Sequence, residues 1–120
     1  MEPTIETTRF GSISIGGTSY AHDVLIRLDG QVVKRKKSLS KAVYGTSHQV
    51  SLAEAQHVHE EGARRLVVGA GQFGLLELSP EAARFFEEQH CRVTLLPTGE
   101  AIEAWNHAVG AVIGLFHITC

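Results

Sequence analysis

The sequence predicts an α/β fold: a single three-layer domain over residues 1–120, with a mixed central sheet flanked by helices and an N-terminal antiparallel β-meander. Three observations carry that prediction. The first third has the period of strands and is punctuated by glycine turns. Beyond Val50, capped helices alternate with apolar runs, and the links between them are short. Strands joined through a helix normally run parallel with a right-handed crossover, whereas tight turns make antiparallel pairs, so the sheet should be mixed.

The first strand run holds Phe10, Ile13 and Ile15 and ends at Gly16-Gly17. Residues 20 to 28 then alternate, with Tyr20, His22, Val24, Ile26 and Leu28 on one face and Asp23, Leu25 and Arg27 on the other, the pattern of a half-buried strand. Asp29-Gly30 turns the chain into Gln31-Val32-Val33. Lys34 to Gln49 lacks a clear period and reads as a strand end and a long loop. Ser51-Leu52-Ala53-Glu54 is a capping box, and Gly62 supplies a left-handed stop, which predicts a helix of about three turns. Leu66-Val67-Val68 is a strand buried on both faces. Ser79-Pro80 starts the next helix with proline at its first position, and Ala82, Phe85, Phe86 and Gln89 form its inner stripe. Arg92 to Leu96 is a strand, Thr98 caps a helix carrying Ala101, Ala104, Trp105 and Ala108, and Ala111 to Ile118 is the last strand.

Composition bounds the function. Of 120 residues, 43% are hydrophobic and 20% charged, which excludes collagen-like, disordered and coiled-coil chains. The formal charge of −2 argues against a protein that blankets phosphates, and no nucleic-acid partner is expected. Lys34-Arg35-Lys36-Lys37 with Lys41 is the one basic run; it is suited to steering an acidic partner or guarding a sheet edge. No apolar run approaches about 18 residues, so no membrane span is expected. The acidic N-terminus is unlike a signal peptide, and two widely spaced cysteines, Cys91 and Cys120, fit a reducing, cytoplasmic compartment.

Gly69-Ala70-Gly71-Gln72-Phe73-Gly74 has the spacing of a dinucleotide fingerprint but not its context. In that fingerprint a helix opens within the motif, and here Leu75-Leu76-Glu77-Leu78 intervene; no acid ends the following strand at Leu96-Pro97. The glycines are left as a nest of amides for a small anion, or as a tight turn. If the helix after Ser51 packs antiparallel to the Leu66 strand, Gly45, Thr46, Ser47 and His48 share one sheet edge with Gly69, Gly71 and Thr98, the edge where open α/β sheets take ligands. A loop merely shaped by Thr46, Ser47 and His48 is the plainer alternative. The tail His117-Ile118-Thr119-Cys120 is a second candidate site, because an imidazole beside a thiol can make a nucleophile and base. Residues 117 and 120 point to opposite faces of a regular strand, which weighs against the pair. His48, His117 and Cys120 lack the spacing of a metal site, and neither a metal nor a cofactor is expected. His57 and His59 lie on different helix faces, and His22, His90 and Cys91 read as structural.

Gly45-Thr46-Ser47-His48, Leu66 to Gly71, Thr98 with Ala101 and Asn106, and Phe116-His117-Ile118-Thr119-Cys120, in this order and at these distances, resemble the adipogenesis-associated Mth-domain family. The similarity spans essentially the whole chain, although Trp105 stands where that family more often has tyrosine and the turn between Asn106 and Val112 is shorter. The resemblance implies a compact three-layer fold with a mixed sheet that has one antiparallel core strand. If that strand is the last one, Cys120 lies at the opposite edge from Gly69; if not, His48 and Cys120 share a surface. It implies no established reaction or catalytic residues. A vertebrate relative is linked to adipogenesis, and a distant mitochondrial relative to respiratory complex I assembly.

These readings converge on a binding or assembly module with a small polar crevice, whose partner is a protein or a small anionic ligand. The alternative is a thiol-dependent or redox enzyme using Cys120 with His117 or His48.

Overall fold

A computed structural model describes residues 2–120. Strands β1 (Ile5–Arg9), β2 (Ser12–Ile15) and β3 (Thr18–Tyr20) form the antiparallel meander. Its alternation is physical: Ile5, Ile13 and Ile15 are buried while Glu6 and Thr7 meet water. A hairpin follows, β4 (Val24–Ile26) and β5 (Val32–Lys34), then α1 (Ser38–Tyr44), β6 (Gln49–Val50), α2 (Leu52–Val58), β7 (Arg65–Ala70), β8 (Glu77–Leu78), α3 (Pro80–Glu88), β9 (Arg92–Leu96), α4 (Thr98–His107) and β10 (Val112–His117).

The central sheet has the order β5-β4-β10-β7-β9. Strands β7, β9 and β10 are mutually parallel, and β4 runs antiparallel to β10 on one side and β5 on the other. The antiparallel core strand is therefore β4, and the carboxyl ends of β7, β9 and β10 lie together. One face of the sheet, with Leu66, Val68, Ala70, Ile113 and Leu115, packs with Ala55 and Val58 of α2 and Ala82 and Phe86 of α3. The other, with Val24, Ile26, Val67, Val112 and Phe116, packs with Ala101, Ile102 and Trp105 of α4 and with the meander isoleucines. Covered on both sides, β10 is buried at every residue, which is why it reads as continuous apolar sequence.

Serines start two of the helices. Ser51 Oγ accepts the Glu54 amide and Ser79 Oγ the Ala82 amide, both at 3.1 Å, with Pro80 opening α3 as expected. Helix α4 is tied to the meander by Asn106, whose side chain accepts the Ile5 amide (3.0 Å) and donates to the Ile5 carbonyl (2.9 Å). Trp105 stacks edge-on against Phe116 and donates Nε1–H to the Pro3 carbonyl at 2.8 Å.

Several expectations are corrected. The strand over 20–28 is two strands in different sheets, β3 and β4, split by a bend at Ala21-His22; Val24, Leu25 and Ile26 are all buried because β4 lies inside the sheet, not at a half-solvated surface. His22 sits at that bend, half-exposed, rather than in the core. The long loop contains α1, whose inward residue is the hydroxyl side chain Ser40, so no apolar period marks it. Helix α2 ends at Val58, short of Gly62, whose left-handed φ of 93° serves the turn beyond. Glu54 does not reach back to complete the capping box; Ser40 Oγ accepts the Ser51 amide instead, at 2.9 Å. Thr98 does not cap α4, which has no side-chain cap; its hydroxyl is used elsewhere. No helix among the described residues is long and apolar enough to cross a membrane.

Candidate functional site

The carboxyl ends of the parallel strands surround a buried polar cluster. Arg35, just past β5, is 3% exposed, so the basic run carries four solvent-facing lysines rather than five free cations. Its guanidinium donates to both oxygens of Glu54 on α2 (Nε to Oε2 2.6 Å, NH2 to Oε1 2.9 Å), to Asp23 Oδ2 at 2.9 Å and to the Ser47 carbonyl at 2.9 Å. The Ser40 hydroxyl of α1 also donates to Glu54 Oε1. Burial works against the charge on Arg35, yet Glu54 and then Asp23 raise its pKa above the ordinary value. Removing one partner from so dry an ion pair leaves an uncompensated charge, which typically costs about 3–5 kcal/mol.

Asp23 carries the cluster to the end of β10. Its Oδ2 accepts His117 Nδ1–H at 2.7 Å and its Oδ1 accepts the Ile118 amide at 3.0 Å. Burial pushes this carboxyl up, but the His117 hydrogen bond and charge, the Ile118 amide and Arg35 outweigh it and lower the pKa from 3.8 to about 2. An ionised carboxylate only accepts hydrogen bonds, so Nδ1 of His117 carries a hydrogen. Nε2, the remaining ring nitrogen, is 3.3 Å from Thr119 Oγ1, and the His48 ring meets His117 edge-on with centroids 5.4 Å apart.

The two sets of candidate residues meet at this edge, because β10 is parallel to β7. Gly71 donates its amide to Thr98 Oγ1 (2.9 Å), and the Thr98 hydroxyl donates to the His117 carbonyl (2.6 Å). The Gln72 amide goes to the Thr119 carbonyl (2.7 Å), and the Leu75 amide to the Cys120 carbonyl (3.2 Å). Those amides are thus used on Thr98 and on the chain's own tail, and an anion would find none of them free. Gly71 has φ +92°, and a Cβ there would fall 2.2 Å from the Cys120 carbonyl carbon; one at Gly69 would fall 2.7 Å from the Phe116 ring. Gly45 ends α1, Thr46 Oγ1 accepts the His48 amide at 3.1 Å, and Ser47 takes part through its carbonyl. Cys120 is half-buried, and both ring nitrogens of His117 have partners other than its thiol. Cys91 is buried, which raises its pKa. No group of three or more His, Cys, Asp or Glu side chains among the described residues could hold a metal ion.

Beside the cluster a cleft of about 300 Å³ is lined by His22, Lys34, Lys37 and Thr119, with Asp23 and Arg35 beneath. A second cleft, about 370 Å³, lies at the start of α4 between Arg9, Phe10, Gln72 and Gly99. Sequence reasoning missed Asp23, Arg35, Glu54 and Ser40. The one available signal was an acid set among core residues, Asp23 before Val24-Leu25-Ile26 and Glu54 before Ala55, since acids are almost never buried unless paired.

Comparison with known proteins agrees with this architecture. Residues 5–113 match the family described as "Protein of unknown function (DUF498/DUF598)". A conserved hypothetical protein from Pyrococcus horikoshii OT3, PH1505, is 33% identical, with a TM-score of 0.88 over 98% of this chain and 99% of that one. The structure named MT938 is 32% identical, with a TM-score of 0.83 over 99% of this chain and 100% of that one. A Mth938-like domain from Bordetella pertussis, 17% identical with a TM-score of 0.61 over 97% of this chain and 85% of that one, shares the fold. The chain belongs to the DUF498/DUF598 family, proteins of unknown function with the Mth938-like fold.

Proposed function

We propose that the protein is a binding module for a small anionic ligand, taken in the cleft beside Asp23 and Thr119. The observation that carries this reading is the pair Lys34 and Lys37 on the cleft wall: both are exposed, whereas the charge of Arg35 beneath them is already matched by Glu54 and Asp23. The lysines are the cations placed to meet a ligand, and Thr119 and His22 add polar groups beside them. In this reading Gly45, Thr46, Ser47 and His48 shape the wall behind Arg35 and His117, while Gly69, Gly71 and Thr98 hold the tail in place. A cytoplasmic setting suits the free thiols of Cys91 and Cys120.

A protein partner, as for an assembly factor, is the second reading. It is favoured by Phe73 and Leu75, which are 67% and 52% exposed on the loop that holds the tail. Thermal-shift measurements with inorganic phosphate, pyrophosphate, citrate and a nucleoside monophosphate separate the two. A ligand at about 100 times its Kd adds roughly 2.7 kcal/mol of stability. That gain should vanish in the Lys34→Ala/Lys37→Ala double variant and survive in Lys41→Ala. If no anion stabilises the protein, or the double variant responds like the parent, the anion reading is wrong and the partner reading takes its place.

A further inference from the structure

We propose that Asp23, His117 and Thr119 form a nucleophile relay for acyl transfer, acting on an ester that carries an anionic group. The inference goes beyond ligand binding, and it rests on the cleft reading only for the anionic group.

The geometry supplies the carboxylate, the base and the hydroxyl. Asp23, ionised and accepting the Ile118 amide, holds the hydrogen of His117 on Nδ1 at 2.7 Å. In the neutral ring Nε2 is then the acceptor, and the group within its reach is the Thr119 hydroxyl at 3.3 Å. His117 is 3% exposed while Thr119 lines the cleft, so the base is shielded from water and the hydroxyl is presented to a ligand. Residues 117–120 are tied at successive backbone groups. The His117 carbonyl accepts from Thr98, the Ile118 carbonyl from the Gly11 amide, the Thr119 carbonyl from the Gln72 amide and the Cys120 carbonyl from the Leu75 amide. Such rigidity is what a positioned nucleophile needs.

In the first step Thr119 Oγ1 bonds to the acyl carbon, its proton passes to His117 Nε2, and the bond from the acyl carbon to the alcohol oxygen breaks. The departing oxygen takes that proton from Nε2. A water molecule then attacks the acyl-threonine, gives its proton to Nε2, and the acid leaves as Thr119 Oγ1 recovers the proton. The sum is ester plus water to carboxylic acid plus alcohol. His117 is the base and then the acid, and Asp23 is a positioning residue.

The test uses p-nitrophenyl acetate and its anionic counterpart, p-nitrophenyl hemisuccinate, with nitrophenolate release followed by absorbance and adducts located by peptide mass mapping. The acyl group should be found on Thr119. Release should fall about a hundredfold in Thr119→Val and His117→Gln and be retained in Thr119→Ser. Imidazole nitrogen NMR should place the hydrogen on Nδ1 in the parent and redistribute it in Asp23→Asn, a change that loss of packing alone does not produce. An adduct confined to Cys120 or lysines, or an unchanged rate in Thr119→Val, overturns the relay; Thr119→Val decides the matter if His117→Gln fails to fold. Equal rates with both esters, insensitive to Lys34→Ala/Lys37→Ala, would instead overturn only the anion reading.

Discussion

The glycine loop over residues 69–74 and the charge cluster of Asp23, Arg35 and Glu54 hold the same chain end, residues 117–120, by different physics. The loop uses neutral backbone: amides of Gly71, Gln72 and Leu75 are spent on Thr98 and on the carbonyls of Thr119 and Cys120. Each such bond is worth about 1 kcal/mol net. The cluster uses ions taken out of water, where one guanidinium faces two carboxylates and Asp23 in turn grips His117. Its contribution depends on every member being present. A tail fixed by the loop alone would be well ordered but chemically inert; the cluster is what sets the imidazole of His117.

The largest effect expected from breaking this contrast is Arg35→Met, which strands Asp23 and Glu54 without their cation. Chemical denaturation at neutral pH should show a loss of about 3–5 kcal/mol. Gly71→Ala attacks the loop instead, and combines a left-handed backbone with a clash against the Cys120 carbonyl; a loss of about 3 kcal/mol is expected in the same measurement, with limited proteolysis showing a released tail. Acid acts on the cluster through Asp23. The Asp23 carboxyl is lower in the folded protein, about 2 against 3.8, so its contribution is full above about pH 4 and is lost as pH falls through the folded value. The difference corresponds to about 2 kcal/mol, readable as the drop in unfolding free energy between pH 5 and about pH 2. His117→Gln should shrink that drop, because His117 is the chief group lowering Asp23.

Much of the fold was open to reading in one dimension. Ser79-Pro80 announced α3, Leu66-Val67-Val68 a doubly covered strand, and Gly16-Gly17 the turn between β2 and β3, because caps, turn glycines and apolar runs are local devices. Helix α1 was hidden by its polar inner face, and the split between β3 and β4 by an alternation that runs unbroken through the bend at Ala21-His22. The candidate residues Thr98, His117, Thr119 and Cys120 could be chosen from their chemistry, but whether they shared an edge turned on the direction of β10. Helix α4 between β9 and β10 favours the parallel direction that β10 takes, but that the antiparallel core strand is β4, lying between β5 and β10, is a long-range pairing with no local signature.

By itself, then, the amino-acid sequence determined the class of fold, the order of most elements, and the kinds of side chain available at the sheet edge. Tertiary structure alone decided that Arg35, drawn from a run of lysines, is buried between Asp23 and Glu54, and that His117 turns to Asp23 and Thr119 rather than to Cys120. The reason is one of range. Hydrophobic period and capping act over a few residues, whereas a buried charge is tolerated only where partners from distant segments converge, here from β4, α2 and the end of β10.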